Sequence, residues 1–167
     1  AGLNIGSLSA INNKTLISLS SVTSTQDMVI EIDVHPVIGP SITEKFLVDR
    51  VDIGDTVFWR EQGVLFTTSP DLGLPDFGKI NKYDYNTGTL LNSVLFTPDA
   101  SDVGTIRGLT MSRGNLYAYA DVLTNKKYLI NKQTLEQTFL VSNTGNLPQP
   151  YNASVAPVDF EGPSHSG

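Results

Sequence analysis

A histidine that acts as a base near neutral pH must sit beside the group it serves. This 167-residue chain has two histidines, His35 and His165. His35 precedes Pro36, and His165 stands in the terminal Ser164-His165-Ser166-Gly167. A serine triad would need one of them next to a serine and a carboxylate, and no Gly-x-Ser-x-Gly turn is present to hold a nucleophile. Both are read as solvent-exposed. The absence of cysteine removes thiol nucleophiles, thiolate metal sites and disulfides together. With no catalytic constellation, the chain is read as a non-enzyme.

The acidic loops offer a second chemistry. Asp71 and Asp76 fall in the long stretch 69–78, and Asp99 and Asp102 fall in Thr97-Pro98-Asp99-Ala100-Ser101-Asp102. Calcium takes several oxygen ligands from carboxylates and carbonyls, which such loops can supply. Neither stretch fits the EF-hand or the nonapeptide calcium repeat, and aspartate also favours turns for its own backbone hydrogen bonding. No cofactor is expected, although these loops could hold Ca²⁺. Trp59, Tyr117 and Tyr119 could form an aromatic surface for a glycan. Each also falls in a strand-like run where aromatic rings pack well. Arg60, Glu61 and Arg107 are expected on inner strands near a channel, as ligand contacts or as channel-lining ion pairs.

A net charge of −6 and scattered lysines and arginines disfavour nucleic acid, whose phosphates require a basic surface. No run approaches the ~20 apolar residues of a membrane-spanning helix. The abundance of Ser, Thr, Asn and Gly beside few lysines and the start at Ala1 are expected of an extracellular or cell-surface protein. Asn13-Lys14-Thr15 and Asn152-Ala153-Ser154 match the glycosylation sequon, which matters only where the source glycosylates.

The elements that would position these residues are short strands. Residues 106–141 hold four runs of β character closed by turns, and Leu116, Ala118 and Ala120 alternate with Tyr117, Tyr119 and Asp121. Such alternation suits a half-buried strand, whose successive side chains point to opposite faces. The same meander recurs upstream. Gly114-Asn115-Leu116-Tyr117 matches Gly63-Val64-Leu65-Phe66 at a spacing of 51 residues, and Ile130 to Thr134 matches Tyr83 to Thr87 at 47. A fainter copy places Leu16 some 49 residues before Leu65 and Ile32-Asp33 51 before Tyr83-Asp84. Four strands repeated about every 40–50 residues is the signature of propeller blades. The blades span about 1–49, 50–99 and 100–141, with a β-sandwich as the alternative fold. Residues 142–167 form a Pro- and Gly-rich tail, in which Val155, Val158 and Phe160 could add an edge strand to a neighbour.

The blades resemble those of generic β-propellers of the NHL and quinoprotein-like kind. The residues that carry the resemblance are Ile106-Arg107-Gly108-Leu109, Asn115-Leu116-Tyr117 and the turn Asp84-Tyr85-Asn86-Thr87-Gly88. It implies an architecture and no particular active site. Closed propellers have 4–8 blades, so three would leave two flanks and their strand edges open to association. The expected function is therefore structural: self-assembly into a ring, tube or filament. A multivalent, lectin-like module is the alternative, and a fragment of a propeller enzyme the third reading.

Overall fold

The computed structural model describes residues 5–35, 37–51, 55–68, 78–96, 106–120 and 126–141. Within them the chain forms three separate four-stranded sheets. The first contains β1 (Ile5–Ala10), β2 (Thr15–Ser21), β3 (Gln26–Asp33) and β4 (Ser41–Asp49). The second contains β5 (Asp55–Trp59), β6 (Val64–Thr68), β7 (Lys79–Asp84) and β8 (Leu90–Leu95), and the third β9 (Ile106–Ser112), β10 (Asn115–Ala120), β11 (Lys126–Ile130) and β12 (Gln137–Val141). Every sheet is an antiparallel meander in chain order. These are the propeller-like blades expected from the repeat.

The first strands lie side by side, β1 against β5 and β5 against β9. Blades are separate sheets, so side chains satisfy backbone donors where the inner strands meet. The Phe58 N–H donates to Ser9 Oγ at 3.3 Å, and the Leu109 N–H donates to Asp55 Oδ2 at 3.1 Å. Asp27 Oδ2 accepts from the Val51 N–H at 2.9 Å, tying the chain after β4 back to β3. Asp27 and Asp55 are both buried. A buried N–H left without such an acceptor would cost about 1–3 kcal/mol.

The apolar core consists of two seams. Ile17, Leu19, Val29 and Val48 of blade 1 meet Leu65, Tyr83 and Tyr85 of blade 2. Val57, Trp59, Val64, Phe66, Ile80 and Phe96 of blade 2 meet Leu109, Leu116, Ala118, Tyr128, Ile130 and Leu135 of blade 3. Blade 2 is therefore covered on both faces, which is why all five residues of β6 are buried where a one-sided strand would alternate.

One turn is built three times at the same end of the blades. In blade 2, Asp84 Oδ1 accepts from the N–H groups of Asn86 (2.9 Å) and Thr87 (3.0 Å), and the Gly88 N–H donates to the Asp84 carbonyl at 2.8 Å. In blade 3, Asn131 Oδ1 accepts from Gln133 (2.9 Å) and Thr134 (3.0 Å), and the Leu135 N–H donates to the Asn131 carbonyl at 2.7 Å. In blade 1 the acceptor is His35 Nδ1, which takes the N–H groups of Val37 (3.2 Å) and Ile38 (3.1 Å), while the Gly39 N–H donates to the His35 carbonyl at 3.0 Å. The fifth residue is left-handed in each, Gly39, Gly88 and Leu135. Blade 1 differs because β3 and β4 continue pairing to Asp33 and Ser41, which carries its turn farther out and leaves Val37 and Ile38 86% and 85% exposed.

Candidate functional site

The residues singled out for ligand contact fall in two places. Trp59 ends β5 and is 9% exposed, its ring stacked on Phe66 with centroids 6.2 Å apart. Lys132 Nζ lies 4.3 Å and Lys82 Nζ 5.9 Å from the centroid of the indole. Lys132 also donates to the Gly114 carbonyl, so it joins the two turns of blade 3 to the indole of blade 2. Cation–π contact over a desolvated indole is among the stronger kinds. With its ring taken up in this way, Trp59 closes the second seam and leaves no open face for a sugar.

Arg60 and Glu61 do not lie on an inner strand as expected. They begin a 3₁₀ turn, Arg60–Gln62, between β5 and β6, where both are exposed. The turn ends at Gly63, whose φ of 60° is left-handed and whose N–H donates to the Arg60 carbonyl. Arg107 is on β9, and its side chain is not among those described. Asp71, Asp76, Asp99 and Asp102, the tail residues Val155, Val158 and Phe160, and His165 all lie outside the described residues. Among the described residues no three His, Asp or Glu side chains gather to hold a metal ion. His35 is exposed, as read from the sequence, but it also has a structural task that the sequence did not disclose.

Tyr117 and Tyr119 are brought together on β10, on the face turned away from blade 2, and both are half-buried. Cross-strand partners extend this face: Tyr117 is opposite Leu129 and Thr110, and Tyr119 is opposite Lys127 and Gly108. Lys127 Nζ sits 4.3 Å from the centroid of Tyr117. Burial raises the Tyr119 phenol above its ordinary range, and the neighbouring Tyr117 adds to the shift. The flank thus presents two phenols and an aliphatic side chain beside one ammonium group. Leu129 and Lys127 were not singled out in the sequence, although strand pairing at two-residue spacing is the signal that groups them with the tyrosines.

The opposite flank, on blade 1, is largely aliphatic, with Ser18, Ser20 and Glu44 on the same face. Strand pairing places Leu8, Leu16, Met28, Ile30, Ile32, Ile42 and Leu47 on the face away from blade 2. Leu8, Ile42 and Leu47 are exposed there, at 46%, 47% and 43%. A single exposed leucine is ordinary on a protein surface; here three exposed aliphatic side chains share one sheet face.

Solved structures similar to this chain include the crystal structure of Myxococcus xanthus glutaminyl cyclase, at 14% identity and a TM-score of 0.49, over 80% of this chain and 50% of that one. Apo AztD from Citrobacter koseri is similar at 13% identity and a TM-score of 0.49, over 94% of this chain and 51% of that one. The chain spans about half the length of these structures. No protein-family model and no curated protein matches the sequence.

Proposed function

We propose that this chain is a non-enzymatic, extracellular or surface structural module that self-associates through its blade flanks into a ring, tube or filament. One observation carries the reading. Ile17 on β2 and Phe66 on β6 face the next blade and are fully buried in the seams. Tyr117 holds the matching position on β10, and among the described residues no blade lies beyond it. The face that seals two seams inside the chain is thus presented again, and a further blade of the same repeat is the natural occupant.

A second copy can supply that blade by placing the aliphatic flank of its blade 1 against the tyrosine flank of blade 3. The two flanks are unlike, so the contact is head-to-tail, and such contacts generate rings when they close and filaments when they do not. Segment 155–160 of the tail would add a strand to a neighbour's outer edge in the same assembly. The Tyr117–Tyr119 pair also favours a second reading, a glycan platform, because two adjacent half-exposed phenols suit a sugar face.

Light scattering with negative-stain imaging tests the proposal. The expected result is a mass well above one chain that falls to one chain in Tyr117→Ser/Tyr119→Lys. A wild-type protein that stays a single chain at every accessible concentration would overturn it. Glycan binding by that single chain, lost on the same double substitution, would transfer the face to the second reading.

A further inference from the structure

We propose that a cleft at the turn end of blade 1 binds a small aliphatic zwitterion with the chemistry of a free aliphatic α-amino acid. The cleft lies between the β1–β2 turn and the extended β3–β4 loop and has a volume of about 680 Å³, within the usual range of small-molecule sites. It is independent of the flanks and of the self-association proposed above.

Side chains that accept backbone N–H groups shape its rim. Asn12 Oδ1 accepts from Lys14 (2.8 Å) and Thr15 (2.9 Å), and His35 Nδ1 accepts from Val37 and Ile38. Thr15 Oγ1 donates to Asp33 Oδ1 at 2.7 Å, which fixes the carboxylate across the strand pair. A rim held this way is formed before any ligand arrives, so little ordering cost falls on binding.

The chemistry of the lining selects the ligand. Lys14 and Asp33 both line the cleft, and the Val34 N–H donates to the Lys14 carbonyl at 2.8 Å, so the two residues belong to adjoining positions. Yet Lys14 and Asp33 form no ion pair with each other, whereas Lys45 and Glu31 on the neighbouring strands do, at 3.9 Å. An ammonium and a carboxylate thus border the same space without neutralising each other. An anion alone would meet Asp33, and a cation alone would meet Lys14; a molecule carrying both charges satisfies both. Because Nδ1 of His35 is an acceptor, the neutral ring carries its proton on Nε2 and has a further donor. Val34 and Ile38 supply an aliphatic wall, and no Phe, Tyr or Trp is among its described lining residues, which favours an aliphatic side chain over a sugar.

The test uses L-leucine and the intact chain labelled with ¹⁵N. Saturable shifts are expected in the amides of residues 12–15, 33–35 and 37–39. Lys14→Met and Asp33→Asn should each weaken binding about tenfold or more. Leucinamide, which lacks the carboxylate, should bind weakly and be indifferent to Lys14→Met. N-acetyl-leucine, which lacks the ammonium, should bind weakly and be indifferent to Asp33→Asn. Both positions are exposed, so unchanged amide spectra elsewhere will show that the variants fold. Absence of saturable shifts, or leucine binding unaffected by both substitutions, would overturn the proposal.

Discussion

Tyr85 reaches from blade 2 to blade 1 and donates its hydroxyl to Glu31 Oε1 at 2.7 Å. Its ring is 5% exposed and packs edge-on to Phe58 and Phe46, with centroids 5.1 and 5.8 Å away. Burial raises the phenol well above its ordinary range, and the hydrogen bond and negative charge of Glu31 reinforce the shift. Tyr85→Phe keeps the ring contacts and removes the donor, so it should destabilise the protein by about 1.5–3 kcal/mol at pH 7, the usual worth of a bond to a charged acceptor. The sign of the pH dependence follows from the raised folded value. The tyrosine's contribution is complete below its unfolded value of about 10 and is lost as the pH rises toward the folded one. Denaturant titrations at pH 7 to 11 should therefore show the gap between wild type and Tyr85→Phe narrowing above pH 10. His35 makes a comparable local case. His35→Asn should be nearly neutral, since Asn131 already caps the same turn in blade 3. His35→Ala should cost about 1 kcal/mol through the lost acceptor, read as a lower denaturation midpoint and faster exchange of the Val37 and Ile38 amides.

At the scale of elements, the triplicated turn shows how one backbone geometry accepts different packing. Gly88 has φ +76°, and a Cβ placed there would come within 2.7 Å of Phe46 Cγ and 2.8 Å of Phe46 Cβ. Leu135 holds the corresponding left-handed position in blade 3 with φ 64°, and its side chain is fully buried in the second seam. The first seam is filled by Phe46 from blade 1, and the second by Leu135 from the turn itself. Gly88→Ala should cost about 1 kcal/mol for the left-handed backbone plus about 1–3 kcal/mol for overpacking. Gly114 offers the control, because its φ is +79° and nothing lies within 4 Å of an added Cβ. Gly114→Ala should incur the backbone cost alone, and equal midpoint shifts for the two variants would refute the packing argument.

These elements also separate what the sequence discloses from what it hides. Asp84 to Gly88 was legible because turn chemistry is local: a short acceptor, two following N–H groups and a glycine where φ is positive. The backbone N–H of Thr87 leads the hydrogen bonds that hold the Asp84 carboxyl below its usual range. The His35 turn was hidden, since histidine is no usual turn former and the sequence match aligned Asp33, two residues earlier, with Asp84. The packing of Trp59 was legible from its place in a strand-like run, but its cationic partners were hidden, because Lys82 and Lys132 reach it from distant parts of the chain. Arg60 was misplaced since a strand pattern does not show where the strand stops, and Gly63 ended it sooner than the alternation implied.

Across the whole molecule, the same positions on successive blades meet different surroundings, and that contrast distinguishes a seam from a flank. Phe66 is fully buried between blades 2 and 3, whereas Tyr117, its counterpart on β10, is half-buried on the outer face of blade 3. Phe66→Ala should cost about 3–5 kcal/mol, as removal of a core aromatic does, and the loss should be independent of protein concentration. Tyr117→Ala should cost less than about 1 kcal/mol in dilute solution, where the ring is still partly wet. If copies dock flank to flank, association stabilises the folded state by mass action. The wild-type unfolding midpoint should then rise with concentration, and that rise should vanish in Tyr117→Ala but persist in Phe66→Ala. A midpoint independent of concentration in all three proteins would show that the tyrosine flank has no partner among its own copies, and the glycan reading would become the better account of that face.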